Sequence, residues 1–580
     1  MSQPAIVPDL LRERTAEDSK AVALRVGDAG ELTYGQWEAR SDAVARGLVE
    51  RGVRPGDKVA LVFRNEGWID YAVCYLAVHK AAAVAVPLGS RFAGPELDRV
   101  LAHAGAAGVV HDGQDITADA GVWVAEPAEL EAGQLTERFQ APAGPHDLAE
   151  ILYTSGTTGL PKGVACTHLG IMAHDLPPDG APGPGSVSFL HAFPIGTQAG
   201  QEALRVPLRI RGRVAIALPS FDPDDLCALV ARHRVVRLQL VPAMAHVLVT
   251  SSAYGHHDVS SVRRVILSSA PAAPVLFGRL AEAFPQATVW NAYALTEAGA
   301  ARTLMQWDET RPTAVGRPVG ATEVRIVDDA GKHRAPGGTG EIWLRRPGTP
   351  TREYYRDPQA TAEAFAGGWV HTGDVGHLDA DGYLHLTDRK KDLIISGGSN
   401  VSSVEVENVL YEHPAVVDAA VVGLPHPVLG EDVAAAVVVR SATTGRELQD
   451  VVRARLAEHK VPHRVVLVDR LPRNASGKVV KAEVRALFAA EEPAAGFAAA
   501  RNETEAVVTS VWEAVLALPH VGIHDDFFAL GGHSLAAAQI AARLRDAFGV
   551  DLPVAAVFES PTPAELARAV EDAATGAQAG

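Results

Sequence analysis

Residues Tyr153–Val164 read YTSGTTGLPKGV and follow directly on the apolar pair Ile151–Leu152. A β-forming run that breaks into small hydroxyl residues and glycines offers backbone N–H groups and hydroxyls with which to wrap a polyphosphate. Thr154, Ser155, Gly156, Thr157, Thr158 and Gly159 would line such a cradle, with Lys162 as counter-charge. The string is not the Gly-x-x-x-x-Gly-Lys-Ser/Thr loop of P-loop NTPases, because Lys162 follows Pro161 and precedes Gly163. A surface turn rich in Gly and Thr has the same composition, so the loop by itself leaves both readings open.

On either side of this stretch, from residue 20 to 390, short β-rich runs alternate with Ala- and Leu-rich helical patterns: VALVF (59–63), GVVH (108–111), VAIAL (214–218) and VRRVILSS (262–269). Such alternation predicts parallel sheets covered by helices, hence a large α/β unit over residues 1–388. Gly/Pro clusters at 177–185 and 334–340 mark loops. The charged turn TDRKKD (387–392) leads into a smaller α+β unit, residues 389–487. An Ala/Glu/Pro-rich linker, 488–501, separates it from a helical bundle at 502–575. There Ile540, Leu544 and Phe548 recur at i, i+4 and i+8, the stripe of a helix packed on one face.

With 580 residues the chain is too long for one hydrophobic core. A formal charge of −17 argues against non-specific binding to nucleic acid or an anionic membrane. An anion such as ATP must then be held by a few placed cations and backbone amides. Cys74, Cys166 and Cys227 lie far apart, which fits a reducing cytoplasm and excludes a cysteine-rich zinc site. The N-terminal residues show no basic-then-apolar signal, and no run of about 18 apolar residues occurs, so a cytoplasmic protein is expected.

The motif at 153–164 resembles the phosphate loop of the adenylate-forming superfamily, and the resemblance extends over residues 20–485. TYGQWEARSDAVARGLVERGVRPGDKVAL (33–61), NAYALTEAG (291–299), HTGDVGHLDADGYL (371–384), DRKKDLIISGGSNVSSVEVE (388–407) and NASGKVVK (474–481) are similar to further family motifs in the same order. The resemblance implies attack of a substrate carboxylate on the α-phosphorus of ATP. The nucleophile is already ionised, so catalysis must come from positioning two anions and neutralising charge on phosphorus. On the family pattern Lys478 bridges carboxylate and phosphate, and Glu297, after Thr296, holds Mg²⁺. Asp374 takes the ribose hydroxyls, Arg389 contacts ribose or phosphate, and Tyr293 packs on adenine, a core tyrosine being the other reading. Lys391 falls at the hinge about which the small domain rotates between half-reactions, bringing in residues 396–398 to line a thiol tunnel.

DDFFALGGHSLAAAQI (525–540) resembles the attachment motif of peptidyl carrier proteins. Ser534 would carry 4′-phosphopantetheine, added by a separate phosphopantetheinyl transferase; a plain helix N-cap is the alternative. The resemblance implies a loading module whose acyl group leaves through a downstream biosynthetic enzyme. For the acid itself, the segment 186–201, SVSFLHAFPIGTQAGQ, contains no carboxylate to pair with an α-ammonium. Its HAFPIGT is similar to the segment of aryl-acid-activating relatives, and an aryl, hydroxy or acyl acid is expected. An amino-acid-activating module and an acyl-CoA ligase remain the alternatives. His191 would gate the thiol tunnel, or be a packed loop histidine. Ala192, Phe193, Thr197, Gln198, Gln201, Ala292, Ala300 and Ala301 would line the acid pocket.

Overall fold

The run LAEILYT forms the strand Leu148–Thr154 and returns antiparallel as Lys162–Thr167, with Thr154 opposite Lys162. Both ends of the Gly/Thr-rich stretch therefore lie side by side. The structure, a computed structural model, describes residues 5–578, except 90–91, 93, 117–120, 155–160, 174–186, 427–428, 475–477, 490–497, 517, 519, 528–529, 531 and 533. The chain divides into two compact units, Met1–Lys390 with Arg473–Lys478, and Lys391–Pro472 with Val479–Gly580.

In the first unit the hairpin belongs to a seven-stranded sheet. Its order is Glu353–Tyr354, Lys162–Thr167, Leu148–Thr154, Val84–Gly89, Lys58–Phe63, Ala106–His111 and Trp123–Ala125. A second, 13-stranded path contains the parallel series Val22–Val26, Arg213–Ala217, Val187–His191, Arg237–Leu240, Arg264–Leu267 and Thr288–Ala294. The expected parallel, helix-covered sheet holds this far and then stops. Beyond Thr288–Ala294 the neighbours Arg302–Gln306, Ala314–Pro318, Leu384–Arg389, Val370–Leu378, Gly340–Arg345 and Glu323–Val327 all pair antiparallel. Antiparallel partners can be joined by a tight turn, whereas parallel ones need a long crossover. The turn between Val370–Leu378 and Leu384–Arg389 is of that kind, closed by the Gly382 N–H on the Asp379 carbonyl at 3.0 Å.

Large aromatic side chains fill the core of this unit, with Trp37, Trp68, Tyr71, Phe189 and Phe193 all but fully buried. Side chains of this kind contribute roughly 1.5–3 kcal/mol each on burial. Arg205 and Glu150 are also fully buried, and are paired at 3.0 Å.

The α+β part of the second unit packs two cores, one on each face of its sheet. Strands Val416–His426 and Gly430–Val439 pair along their length, and alternate residues face opposite sides. Val421, Val433 and Val437 join one cluster with Leu448 and Val452, while Val422, Ala434 and Ala436 join another with Val484 and Phe488. The carrier-like segment forms helices Glu503–Leu516, Ser534–Phe548, Ala555–Glu559 and Pro563–Gln578. Their shared core holds Trp512, Phe527, Ile540, Leu544 and Leu566. Ile540 and Leu544 are wholly buried and Phe548 packs at the margin, as the i, i+4, i+8 spacing requires. Among the described residues no helix is long and apolar enough to cross a membrane.

Candidate functional site

Asp374 and Arg389 lie directly across from each other on the antiparallel strands Val370–Leu378 and Leu384–Arg389. That register brings Arg389 Nε within 2.9 Å of Asp374 Oδ1. The second carboxylate oxygen, Oδ2, accepts the phenolic O–H of Tyr293 at 2.7 Å. Tyr293 comes from the last parallel strand, Thr288–Ala294, so the trio joins the two halves of the 13-stranded path. Burial, and next the charge of Asp374, hold the Tyr293 phenol well above its ordinary pKa, so it remains a donor. Asp374 is 5% exposed, whereas the Arg389 side chain keeps 45% of its surface. A carboxylate has about four lone-pair positions, so Asp374 retains acceptor capacity for hydroxyls after these two bonds.

A second cluster surrounds Glu297. Its Oε1 accepts the Tyr354 O–H at 3.0 Å and lies 3.5 Å from Thr154 Oγ1. Oε2 has no hydrogen-bond partner among the described residues. Lys162 stands close by, its ammonium 4.8 Å from the centre of the Tyr354 ring. The residues 473–478 belong to the same compact unit, and Lys478 feels the charges of Glu297, Asp374 and Arg389. Lys478 is reached by solvent yet surrounded by protein, as in a cleft. That burial is the chief cause of its lowered pKa; Arg389 adds to the shift, and the two carboxylates oppose it. The Lys478 backbone is pinned, its N–H donating to Asn474 Oδ1 at 3.0 Å and its carbonyl accepting the Asn474 N–H at 2.9 Å.

These donors suit Mg²⁺, which favours oxygen ligands and is commonly held by one or two carboxylates plus substrate phosphates. No group of three or more His, Cys, Asp or Glu placed for a metal occurs among the described residues, and Glu297 Oε2 is the oxygen among them that would be offered to the ion. Thr296 contributes its carbonyl, which accepts from Arg352 Nη1. Neither Arg352 nor Tyr354 is found by reading motifs. Both sit in TREYY, whose only sequence signal is a short edge-strand pattern.

The acid-side residues are placed differently from the expected pocket wall. Strand Val187–His191 ends in His191, which is 1% exposed, stacked between Phe189 and Phe193 and edge-on to Trp68. Burial pushes its pKa down to about 3, so the ring is neutral and accepts the Phe193 N–H at 3.3 Å. The ring is thus packed among aromatic side chains, as the packed-histidine reading expects and as a closed gate would also be. Gln201 has no exposed surface: it accepts from Tyr71 O–H at 2.8 Å and donates to the Ile195 carbonyl. Thr197 caps helix Gln198–Arg209 by accepting the Gly200 N–H, and its hydroxyl donates to the Pro194 carbonyl at 2.7 Å. Gln198 donates to Glu202 at 2.9 Å and accepts from Arg352 at 3.2 Å. Ala192, Phe193, Ala300 and Ala301 are buried, while Ala292 is half-buried. The polar groups expected to meet substrate are thus committed to the protein, because a loop feeding a helix must satisfy its own buried donors.

Ser155, Gly156, Thr157, Thr158 and Gly159 lie outside the described residues, as does the Ser534 side chain, although the Ser534 backbone opens the helix Ser534–Phe548. Lys391 is the first residue of the second compact unit.

Three family models match in order: AMP-binding enzyme over residues 11–355, AMP-binding enzyme C-terminal domain over 405–478, and phosphopantetheine attachment site over 506–570. The chain is 36% identical to a feruloyl-CoA synthase of Amycolatopsis sp over 488 residues, 81% of this chain and 96% of the relative. It is similar to ATP-bound MatB from Rhodopseudomonas palustris, with 31% identity, a TM-score of 0.75, and coverage of 83% of this chain and 99% of that one. It is also similar to O-succinylbenzoate coenzyme A synthetase from Bacillus subtilis in complex with ATP and magnesium, with 28% identity, a TM-score of 0.74, and coverage of 82% and 99%. The chain belongs to the AMP-binding enzyme family, the ATP-dependent, adenylate-forming acid ligases, and carries a phosphopantetheine-attachment domain beyond its AMP-binding enzyme and C-terminal domains.

Proposed function

We propose that this ligase activates an aryl carboxylic acid as its acyl adenylate and passes the acyl group to the phosphopantetheine thiol on Ser534 of its own carrier domain. The observation that carries the reading is the convergence of Lys478, Glu297, Asp374 and Arg389 in one electrostatic neighbourhood. Two carboxylates and two cations suit a reaction whose partners are both anions, a carboxylate and a nucleotide. Asp374, oriented by Tyr293 and Arg389, accepts ribose hydroxyls. Lys478 draws the acid carboxylate and the α-phosphate together and offsets the charge developing between them. Lys162 and the hydroxyl of Thr154 hold the outer phosphates, with residues 155–159 completing the loop. Mg²⁺ bound at Glu297 would neutralise charge on the leaving pyrophosphate. Lys391 serves as the hinge that moves Lys478 away before the thiol step.

An aryl acid is favoured because the segment 186–201 offers no carboxylate to an α-ammonium, and because a feruloyl-CoA synthase is similar over nearly its whole length. We assign residues 1–388 and 389–487 to adenylation and 502–575 to the carrier. A phosphopantetheinyl transferase would arm Ser534, and a downstream biosynthetic enzyme would take the acyl group. The free, buried Cys74, Cys166 and Cys227 suit a cytoplasmic setting. Free CoA as acceptor is the second reading, favoured by that same CoA-forming relative.

The test is intact mass of phosphopantetheinylated protein incubated with ATP, Mg²⁺ and a pool of aryl, hydroxy, acyl and amino acids. A mass gain that is lost in Ser534→Ala supports self-loading and identifies the acid. Pyrophosphate release without a gain, with acyl-CoA formed when CoA is added, supports the second reading.

A further inference from the structure

The strand Glu353–Tyr354 adds to the edge of the seven-stranded sheet beside the returning arm of the phosphate-loop hairpin, Tyr354 opposite Val164 and Glu353 opposite Ala165. The Tyr355 N–H continues the pairing onto the Gly163 carbonyl at 2.7 Å. This register fixes Tyr354 next to Lys162, whose ammonium lies 4.8 Å from the ring centre, within cation–π range. The same ring ends in the O–H that donates to Glu297 Oε1 at 3.0 Å. Phe365 packs edge-on against the ring at 5.4 Å, and the Tyr354 N–H donates to Thr361 Oγ1 at 3.0 Å, so neither ring nor backbone is loose.

Two residues earlier, Arg352 grips the same motif from another side. Its Nη1 donates to the Thr296 carbonyl and to Gln198 Oε1. Gly299 has φ +59, and a Cβ there would come within 3.0 Å of Arg352 Nε. The left-handed backbone favours glycine here, and any larger residue would also press on the guanidinium. The TREYY segment touches the Glu297 motif at two points and the phosphate-loop hairpin along a strand edge.

We propose that Tyr354 is a positioning residue for the metal–nucleotide site: its hydroxyl holds one oxygen of Glu297 so that the other is presented to the cation, and its ring seats Lys162 for the phosphates. The proposal rests on the reading of Glu297 as the magnesium-binding carboxylate. Tyr354→Phe separates the two roles, removing the hydroxyl and keeping the ring; Tyr354→Leu removes both.

The experiment is calorimetric titration of the full chain with ATP, without acid, in the presence and absence of Mg²⁺. Each variant is read as the ratio of its two affinities, which a general loss of folded protein does not move. Tyr354→Phe is expected to lower the Mg²⁺-dependent gain by roughly tenfold, the size of one hydrogen bond to a charged group, with metal-free ATP affinity kept. Tyr354→Leu is expected to weaken metal-free binding as well. The double variant Tyr354→Phe/Glu297→Gln should be no worse than Glu297→Gln alone. If Glu297→Gln loses the gain and Tyr354→Phe stays within twofold of wild type, the positioning role is overturned and the metal reading stands. If Glu297→Gln itself keeps the gain, the metal reading fails and takes the proposal with it.

Discussion

Around Asp374 and Glu297 the large unit presents charged groups whose partners leave something over: a Glu297 oxygen with no hydrogen-bond partner among the described residues, an Arg389 side chain 45% exposed, and a Lys478 open to solvent. Around His191 and Gln201 the polar groups of the same unit are turned inward and satisfied by tyrosine, backbone and neighbouring side chains. On the proposed function, the contrast follows from the different demands of the two ligands. A nucleotide brings its own charge and hydroxyls, so its site needs side chains with unused capacity. The acid proposed above, carrying no second charge, would need only shape, and neighbours whose polar groups are already satisfied would leave no unpaired donor when it binds.

Four changes would break or sharpen this contrast. The largest effect is expected from Lys478→Ala, which should lower acid-dependent pyrophosphate exchange by about 10²–10³-fold, as loss of one transition-state charge stabiliser does. A decrease under fivefold would remove Lys478 from the reaction. Asp374→Ala comes next: the ATP concentration for half-maximal exchange should rise roughly 10- to 100-fold, since a hydrogen-bonding partner of charged type is lost. Acid half-saturation should stay put, and an equal rise in both would erase the distinction between the two regions.

The third change concerns pH. The buried rings of His191 and His168 have pKa values lowered from 6.5 to about 3 and about 4, burial being the main cause in both. The unfolded chain therefore takes up protons first, so the stability these rings contribute is present above pH 6.5 and is lost as the pH falls toward their folded values. Between pH 6.5 and 5 each should cost about 2 kcal/mol. Thermal melts across this range should show a fall that His191→Phe makes shallower; an unchanged slope would mean that His191 is solvated. The smallest effect is expected from Gln201→Leu, which leaves the Tyr71 hydroxyl and the Ile195 carbonyl without this partner and should destabilise by about 1–2 kcal/mol in denaturant melts. Selectivity among acids should not move. A change in acid preference larger than the loss in stability would return Gln201 to the pocket.

Sequence alone was enough for everything that depends on local chemistry at short spacing. The motif at 153–164, the NAYALTEAG, HTGDVGHL and NASGK strings and the carrier motif pointed to the family, to its order of domains and to Lys478, Glu297, Asp374, Arg389 and Ser534 as candidates. Strand positions such as VALVF and VAIAL were also legible, since a buried parallel strand needs a short apolar run wherever it occurs. Only the tertiary structure decided what depends on register between distant segments. The antiparallel half of the long sheet could not be read from runs that look alike in either direction. The inward fate of His191 and Gln201 was hidden because burial is a property of neighbours, not of residue type. Tyr354 and Arg352 escaped notice because Tyr354 lies 57 residues from Glu297, and Arg352 56 from Thr296. Edge pairing with Lys162–Thr167 brings them to the site, and no local pattern records which strand an edge will find.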